Sequence, residues 1–89
     1  MIVKHATIIN KLGLHARAAA KFCSTASLYS SSVLIKRNTM QVNGKSIMGV
    51  MMLAAAKGSE VELSIEGEDE EQAMQAILEL INNRFDESE

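Results

Sequence analysis

The chain has 89 residues, 47% of them hydrophobic, which is enough for one core and no more, so a single domain over residues 1–89 is expected. A formal charge of −2, with one Tyr, two Phe and no Trp, excludes a nucleic-acid surface, which needs a basic face and stacking rings. Cys23 has no second cysteine to pair with, and without a leader-like stretch or a long apolar run a cytoplasmic protein with no membrane insertion is expected.

Residues 2–10 alternate, with Ile2, Ala6 and Ile8 assigned to the core, which predicts a strand. His5 falls on the mixed face and reads as a solvated strand residue. Asn10, Lys11 and Gly13 turn the chain into Gly13-Leu14-His15-Ala16-Arg17-Ala18-Ala19-Ala20-Lys21-Phe22. Alanine has the highest helix propensity, so a helix is predicted from Ala16 to Ser27. Its buried stripe is Ala19, Phe22, Cys23 and Ala26, with Cys23 a small core residue. Arg17, Ala20, Lys21 and Ser24 are left outward, as an ordinary solvated face or as part of a docking face for a protein partner.

The start of this helix is where chemistry is expected. With His15 as N-cap, the N–H groups of Ala16, Arg17 and Ala18 have no partner within the helix and carry the positive end of its dipole. A phosphoryl group on the imidazole would lie against those donors, and Arg17 adds a guanidinium fork that fits phosphate oxygens. Charge-assisted hydrogen bonds of this kind contribute roughly 1.5–3 kcal/mol each. Nδ1, nearer the amides, is the expected attacking atom. Nothing nearby in sequence supplies a general base, an orienting carboxylate or a metal-ligand spacing, and no cofactor or metal is expected. A neutral imidazole needs no base to attack phosphorus, which makes a carrier the most economical chemistry. The bland alternative is an exposed histidine with no chemical role.

Val33, Ile35 and Arg37 alternate with Leu34, Lys36 and Asn38 in a second strand, and Arg37-Asn38-Thr39-Met40 turns into a short third strand through Val42. After the turn Asn43-Gly44-Lys45, Ser46 is placed to cap a helix over residues 47–56, closed by Lys57-Gly58. Val50, Leu53 and Ala54 can be buried together there, but Ile47, Met48, Met51 and Met52 cannot all follow them. Thioethers adapt to differently shaped partners, so these residues, with Lys45 at the rim, are either a docking patch or gap fillers in the core.

Residues 60–66 alternate most regularly of all, with Val61, Leu63 and Ile65 inward. Gly67-Glu68-Asp69 then leads into a last helix, in which Asp69 and Gln72 have capping-box spacing and Ala73, Ile77, Leu80 and Ile81 form the buried stripe. Residues 86–89 are expected to fray. The order β-α-β-β-α-β-α predicts an α+β, open-faced two-layer sandwich, with three helices on one face of a four-stranded sheet.

Gly13 to Arg17, followed by Gly44-Lys45-Ser46-Ile47-Met48-Gly49-Val50-Met51, resembles the HPr family, the histidine-containing phosphocarriers of the bacterial sugar phosphotransferase system (PTS). The resemblance spans essentially the whole chain and implies an antiparallel sheet in the order 1-4-2-3. It implies that His15 takes a phosphoryl group from enzyme I at Nδ1 and passes it to enzyme IIA domains, with Arg17 and the Ala16 amide holding the phosphate. The segment bearing Ile47, Met48, Met51 and Met52 would then lie beside His15 and dock on both partners. Ser46 matches the serine that HPr kinase/phosphorylase modifies in lineages having that enzyme. Ala18 stands where the family usually has proline, which loosens the helix start without preventing the helix.

No nucleotide-binding loop is present, so the phosphoryl group must come from another protein. The chain then reads as a stoichiometric carrier rather than a turnover enzyme, of a kind that classification schemes can group with transferases. The partners of a sugar-uptake system and those of the parallel nitrogen-related branch fit equally, and a monomer is expected. The rival reading is a regulatory adaptor that binds partners through Met48 and Met51, with Ser46 phosphorylation as its switch and His15 unused. A small nucleic-acid-binding α+β domain fits the topology and fails on charge and aromatics.

Overall fold

Alternating strands produce the sheet, and the computed structural model, which describes residues 1–89, shows how the register sorts their side chains. The elements are β1 (Ile2–Thr7), α1 (Ala16–Ser27), β2 (Ser32–Arg37), β3 (Met40–Asn43), α2 (Ile47–Met52), β4 (Glu60–Glu66), α3 (Glu70–Asn82) and a 3-10 turn at Arg84–Asp86. The sheet order is β1-β4-β2-β3 and every pairing is antiparallel. Ile65 lies opposite both Ile2 and Val33, and Leu63 opposite Ile35, so the apolar residues of the central strands share one face. Polar side chains meet on the other face, where Glu62 lies opposite His5 and Lys36.

The helices supply the second layer. Ala18, Ala19, Phe22 and Ala26 of α1 and Ala73, Met74, Ile77 and Ile81 of α3 are buried with Val33, Ile35, Val61, Leu63 and Ile65 of the sheet. Burial of each large apolar side chain contributes roughly 1.5–3 kcal/mol. Buried alanines on α1 let it lie close to the sheet. Cys23 belongs to the same core, and burial raises its thiol pKa.

Several local expectations give way to long-range contacts. β1 ends at Thr7 rather than at residue 10, because the ladder breaks at Ile8: its N–H still donates to Ser59 O at 2.8 Å, but its carbonyl accepts from Gly58 N at 2.7 Å while Ser59 N turns to Ala56 O. The helix predicted over residues 47–56 stops at Met52. Arg37 Nη1 donates to the Leu53 carbonyl at 3.2 Å and Ala54 turns left-handed (φ 50), so Gly58 serves the turn into β4 instead of closing a helix.

Asp69 does not cap α3 with its side chain, because its carboxylate accepts from Ser31 Oγ (2.5 Å), Ser30 N (2.9 Å) and Ser31 N (3.0 Å). Those bonds hold its pKa down to about 2. On α3, Met74 takes a fully buried place while Leu80 remains partly exposed. The expectation that residues 86–89 fray is also overturned. Phe85 is fully buried, and Lys11 N donates to Glu89 O at 2.7 Å.

Candidate functional site

The loop before α1 is shaped by a close approach of two backbones. Gly13 has φ +66, and a Cβ there would lie 2.3 Å from Ala55 O, so only glycine fits. Leu14 N then donates to Ala55 O at 2.9 Å, which joins the start of α1 to the segment leaving α2. His15 follows in extended conformation (φ −73, ψ 177) as the N-cap, and its carbonyl accepts from Ala19 N at 2.8 Å.

The His15 side chain makes no capping bond. The amides of Ala16, Arg17 and Ala18 donate to no carbonyl or side chain of the protein; Ala16 and Arg17 are exposed at the positive end of a twelve-residue helix, whereas Ala18 is fully buried. Arg17 is exposed beside them, its guanidinium bonded to no other group of the chain.

The imidazole is held from its far side. Nε2 lies 2.5 Å from Glu87 Oε2, in a pocket where the two side chains are 26% and 16% exposed. Glu87 Oε1 accepts from Asn10 Nδ2 at 3.0 Å, and the same Nδ2 donates to Gly13 O at 2.8 Å. Asn10 thereby ties the His15 loop to the C-terminal segment. Its bond is the largest of the influences that hold the Glu87 carboxyl below its ordinary range; burial opposes it, and the bond from His15 and the charge of Arg17 add to it. Nδ1 is left without a partner in the chain.

The other candidate residues divide into two groups. Ser24 is exposed on α1 and Ala20 is partly so. Ser46 caps α2, its Oγ accepting from Gly49 N at 3.0 Å. Ile47, Met48, Met51 and Met52 are exposed to 45%, 72%, 38% and 64%, and α2 packs against α1. Two lysines are already engaged: Lys45 Nζ donates to Tyr29 O at 2.8 Å, and Lys21 Nζ to Phe85 O at 2.7 Å. His5 sits on the open sheet face, 3.3 Å from Glu62, on the opposite side of the sheet from the helices.

Asn10 and Glu87 escape a reading of the sequence. Glu87 is 72 positions from the histidine it touches, and no spacing rule joins them. The one local signal is a polar Asn10 just beyond an alternating strand, which reads equally well as a turn residue. No group of three or more His, Cys, Asp or Glu side chains is arranged to hold a metal ion.

Comparison with known proteins places this geometry. The family model described as "PTS HPr component phosphorylation site" matches residues 2–83. The chain is 62% identical to phosphocarrier protein HPr of Pseudomonas aeruginosa over 84 residues, 93% of each chain. It is 56% identical to phosphocarrier protein HPr of Neisseria meningitidis over 89 residues, the whole of both. The crystal structure of HPr-C-His from Thermoanaerobacter tengcongensis matches with a TM-score of 0.96 and 46% identity, covering 100% of both chains. By sequence and by fold, this chain belongs to the HPr family of PTS phosphocarrier proteins.

Proposed function

We propose that the chain works in the cytoplasm as a stoichiometric phosphocarrier, taking a phosphoryl group from enzyme I on Nδ1 of His15 and handing it to enzyme IIA domains. The observation that carries this reading is the juxtaposition of an imidazole whose Nε2 is engaged with three helix amides that have no acceptor of their own. The Nδ1 lone pair forms the new bond to phosphorus as the bond from phosphorus to the donor breaks, its electron pair leaving with the donor. The exposed amides of Ala16 and Arg17 and the Arg17 guanidinium are suited to the phosphoryl oxygens. Delivery in the reverse sense returns the electron pair of the P–Nδ1 bond to the ring. Positioning supplies most of the catalysis in such transfers, because the transition state is loose and needs little covalent help.

Docking is assigned to the exposed Ile47, Met48, Met51 and Met52 with the outer face of α1, including Ala20 and Ser24. Flexible thioethers suit a surface that must fit two differently shaped partners in turn. Lys21 and Lys45 contribute charge at the margin while anchored to backbone carbonyls. Ser46 is the regulatory position: a phosphate there adds about −1.5 to −2 charge beside Ile47 and Met48 and weakens docking of enzyme I.

Mass spectrometry after incubation with enzyme I and phosphoenolpyruvate tests the reading. One acid-labile phosphoryl group is expected, absent in His15→Ala. A wild-type chain that gains nothing contradicts it. Ser46→Asp is expected to slow transfer from enzyme I, and an unchanged rate removes the regulatory part alone.

A further inference from the structure

The C-terminal segment reaches the histidine through a turn that the backbone would not adopt by itself. Arg84, Phe85 and Asp86 have φ of 54, 53 and 62, three consecutive left-handed residues without a glycine. Each is unfavourable for an L side chain. Burial of Phe85, the bond from Lys21 Nζ to Phe85 O and the bond from Asn83 Nδ2 to Asp86 Oδ1 (2.7 Å) hold the turn. Its consequence is the placement of Glu87 on His15 Nε2 and Asn10 Nδ2.

We infer that Glu87 is a positioning residue for phosphoryl transfer: clamped by Asn10, its carboxylate fixes the hydrogen of His15 on Nε2, directs the lone pair to Nδ1, and keeps the phosphorylated ring protonated. This rests on the carrier reading above. A neutral imidazole has one N–H and one lone pair, and an ionised carboxylate can only accept, so its partner nitrogen must carry the hydrogen. When Nδ1 bonds to phosphorus the ring becomes cationic, with Nε2–H still donating to Glu87. On transfer, the P–Nδ1 electron pair returns to Nδ1 and a neutral imidazole departs. Were Nε2 deprotonated, the leaving group would be an imidazolate, a far poorer one. Glu87 therefore favours the form of the phosphorylated ring that releases its cargo.

The charged groups around the ring are Lys11 from the preceding loop, Arg17 and Lys21 from α1, and Asp86, Glu87 and Glu89 from the C-terminal segment. Among these, Glu87 bonds to the ring, while Lys11 and Lys21 pair with Glu89 and Asp86 at 3.3 Å and 4.0 Å. The neighbouring charges are thus paired among themselves or, in Arg17, left for the phosphate.

The test compares wild type with Glu87→Ala and Glu87→Gln by two readouts. In nitrogen-15 spectra of the unphosphorylated chain at alkaline pH, the wild-type hydrogen is expected on Nε2, with a mixture of tautomers in Glu87→Ala. After phosphorylation, chemically with phosphoramidate or by enzyme I, the lifetime of the phosphohistidine is followed against pH. Removing an opposite charge in hydrogen-bond contact is expected to shift that profile to lower pH by about one unit. That shift corresponds to a phosphohistidine surviving roughly tenfold longer on the sloping limb. Glu87→Gln keeps the shape and removes the charge, so it is expected to show the shifted profile, which a merely structural role would not produce. A wild-type hydrogen on Nδ1, or superimposable lifetime profiles, overturns the inference alone. Failure of the wild type to accept a group from enzyme I overturns the carrier reading, and the transfer role of Glu87 with it.

Discussion

Lys21 Nζ donates to the carbonyl of Phe85 at 2.7 Å, tying the helix that begins at His15 to the turn that presents Glu87. The turn is left-handed throughout, and the buried Phe85 ring is its main support. Phe85→Ala is expected to cost about 3–5 kcal/mol in urea unfolding. It is also expected to release Glu87, so that Phe85→Ala, at temperatures where it stays folded, reproduces the His15 tautomer mixture of Glu87→Ala. A loss below about 1 kcal/mol would show that the C-terminal turn is not integral to the core.

Asp69 clasps Ser30 and Ser31 across the gap between α1 and β2. Its folded pKa of about 2 lies below the ordinary value, so its contribution to stability is complete above about pH 4 and is lost as pH falls through about 2. Unfolding curves of wild type are expected to lose stability over that window, and Asp69→Asn to lack that part of the acid sensitivity. Parallel pH profiles for the two proteins would contradict the clasp.

Ala18 is the third residue of α1 and its N–H has no acceptor in the chain, so proline there forfeits no hydrogen bond. Ala18→Pro is expected to fold and to accept a phosphoryl group. A stability gain of about 0.4–1 kcal/mol is expected through the reduced freedom of the unfolded chain. Destabilisation measured by thermal unfolding would mean that the fully buried Ala18 site cannot admit the ring.

Met48 and Met52 are largely exposed, so Met48→Glu and Met52→Glu are expected to change stability by no more than about 0.5 kcal/mol. Transfer from enzyme I is expected to slow mainly through KM, since the substitutions alter docking and not the imidazole. Unchanged kinetics with both would move the docking surface elsewhere.

Where pattern and burial coincided, the sequence was easy to read. β4 alternates because its inward residues, Val61, Leu63 and Ile65, pack under the helices while Glu60 and Glu66 meet water. Helix α1 was legible at both ends for the same reason, and the sheet order came with the family resemblance. Local rules failed where a distant partner outbid them. Asp69 has the spacing of a cap yet spends its carboxylate on residues 38 and 39 positions away. Residues 53–56 have helical composition, but Ala55 O is claimed by Leu14 N and Ala54 takes positive φ. The same holds at the site. His15, Arg17 and the open amides follow from one decapeptide, whereas Glu87 is brought to the ring by a buried phenylalanine and a lysine bond that no periodicity encodes.

Phosphorus coupling to the ring nitrogens gives the most direct test of the central claim, that Nδ1 of His15 takes the group. Nitrogen-15-labelled protein would be treated with enzyme I and phosphoenolpyruvate and its histidine spectrum recorded. Coupling of one phosphorus to Nδ1 of His15 is predicted, with the hydrogen retained on Nε2. Coupling to Nε2, or a phosphorus signal that persists in His15→Ala, would contradict it.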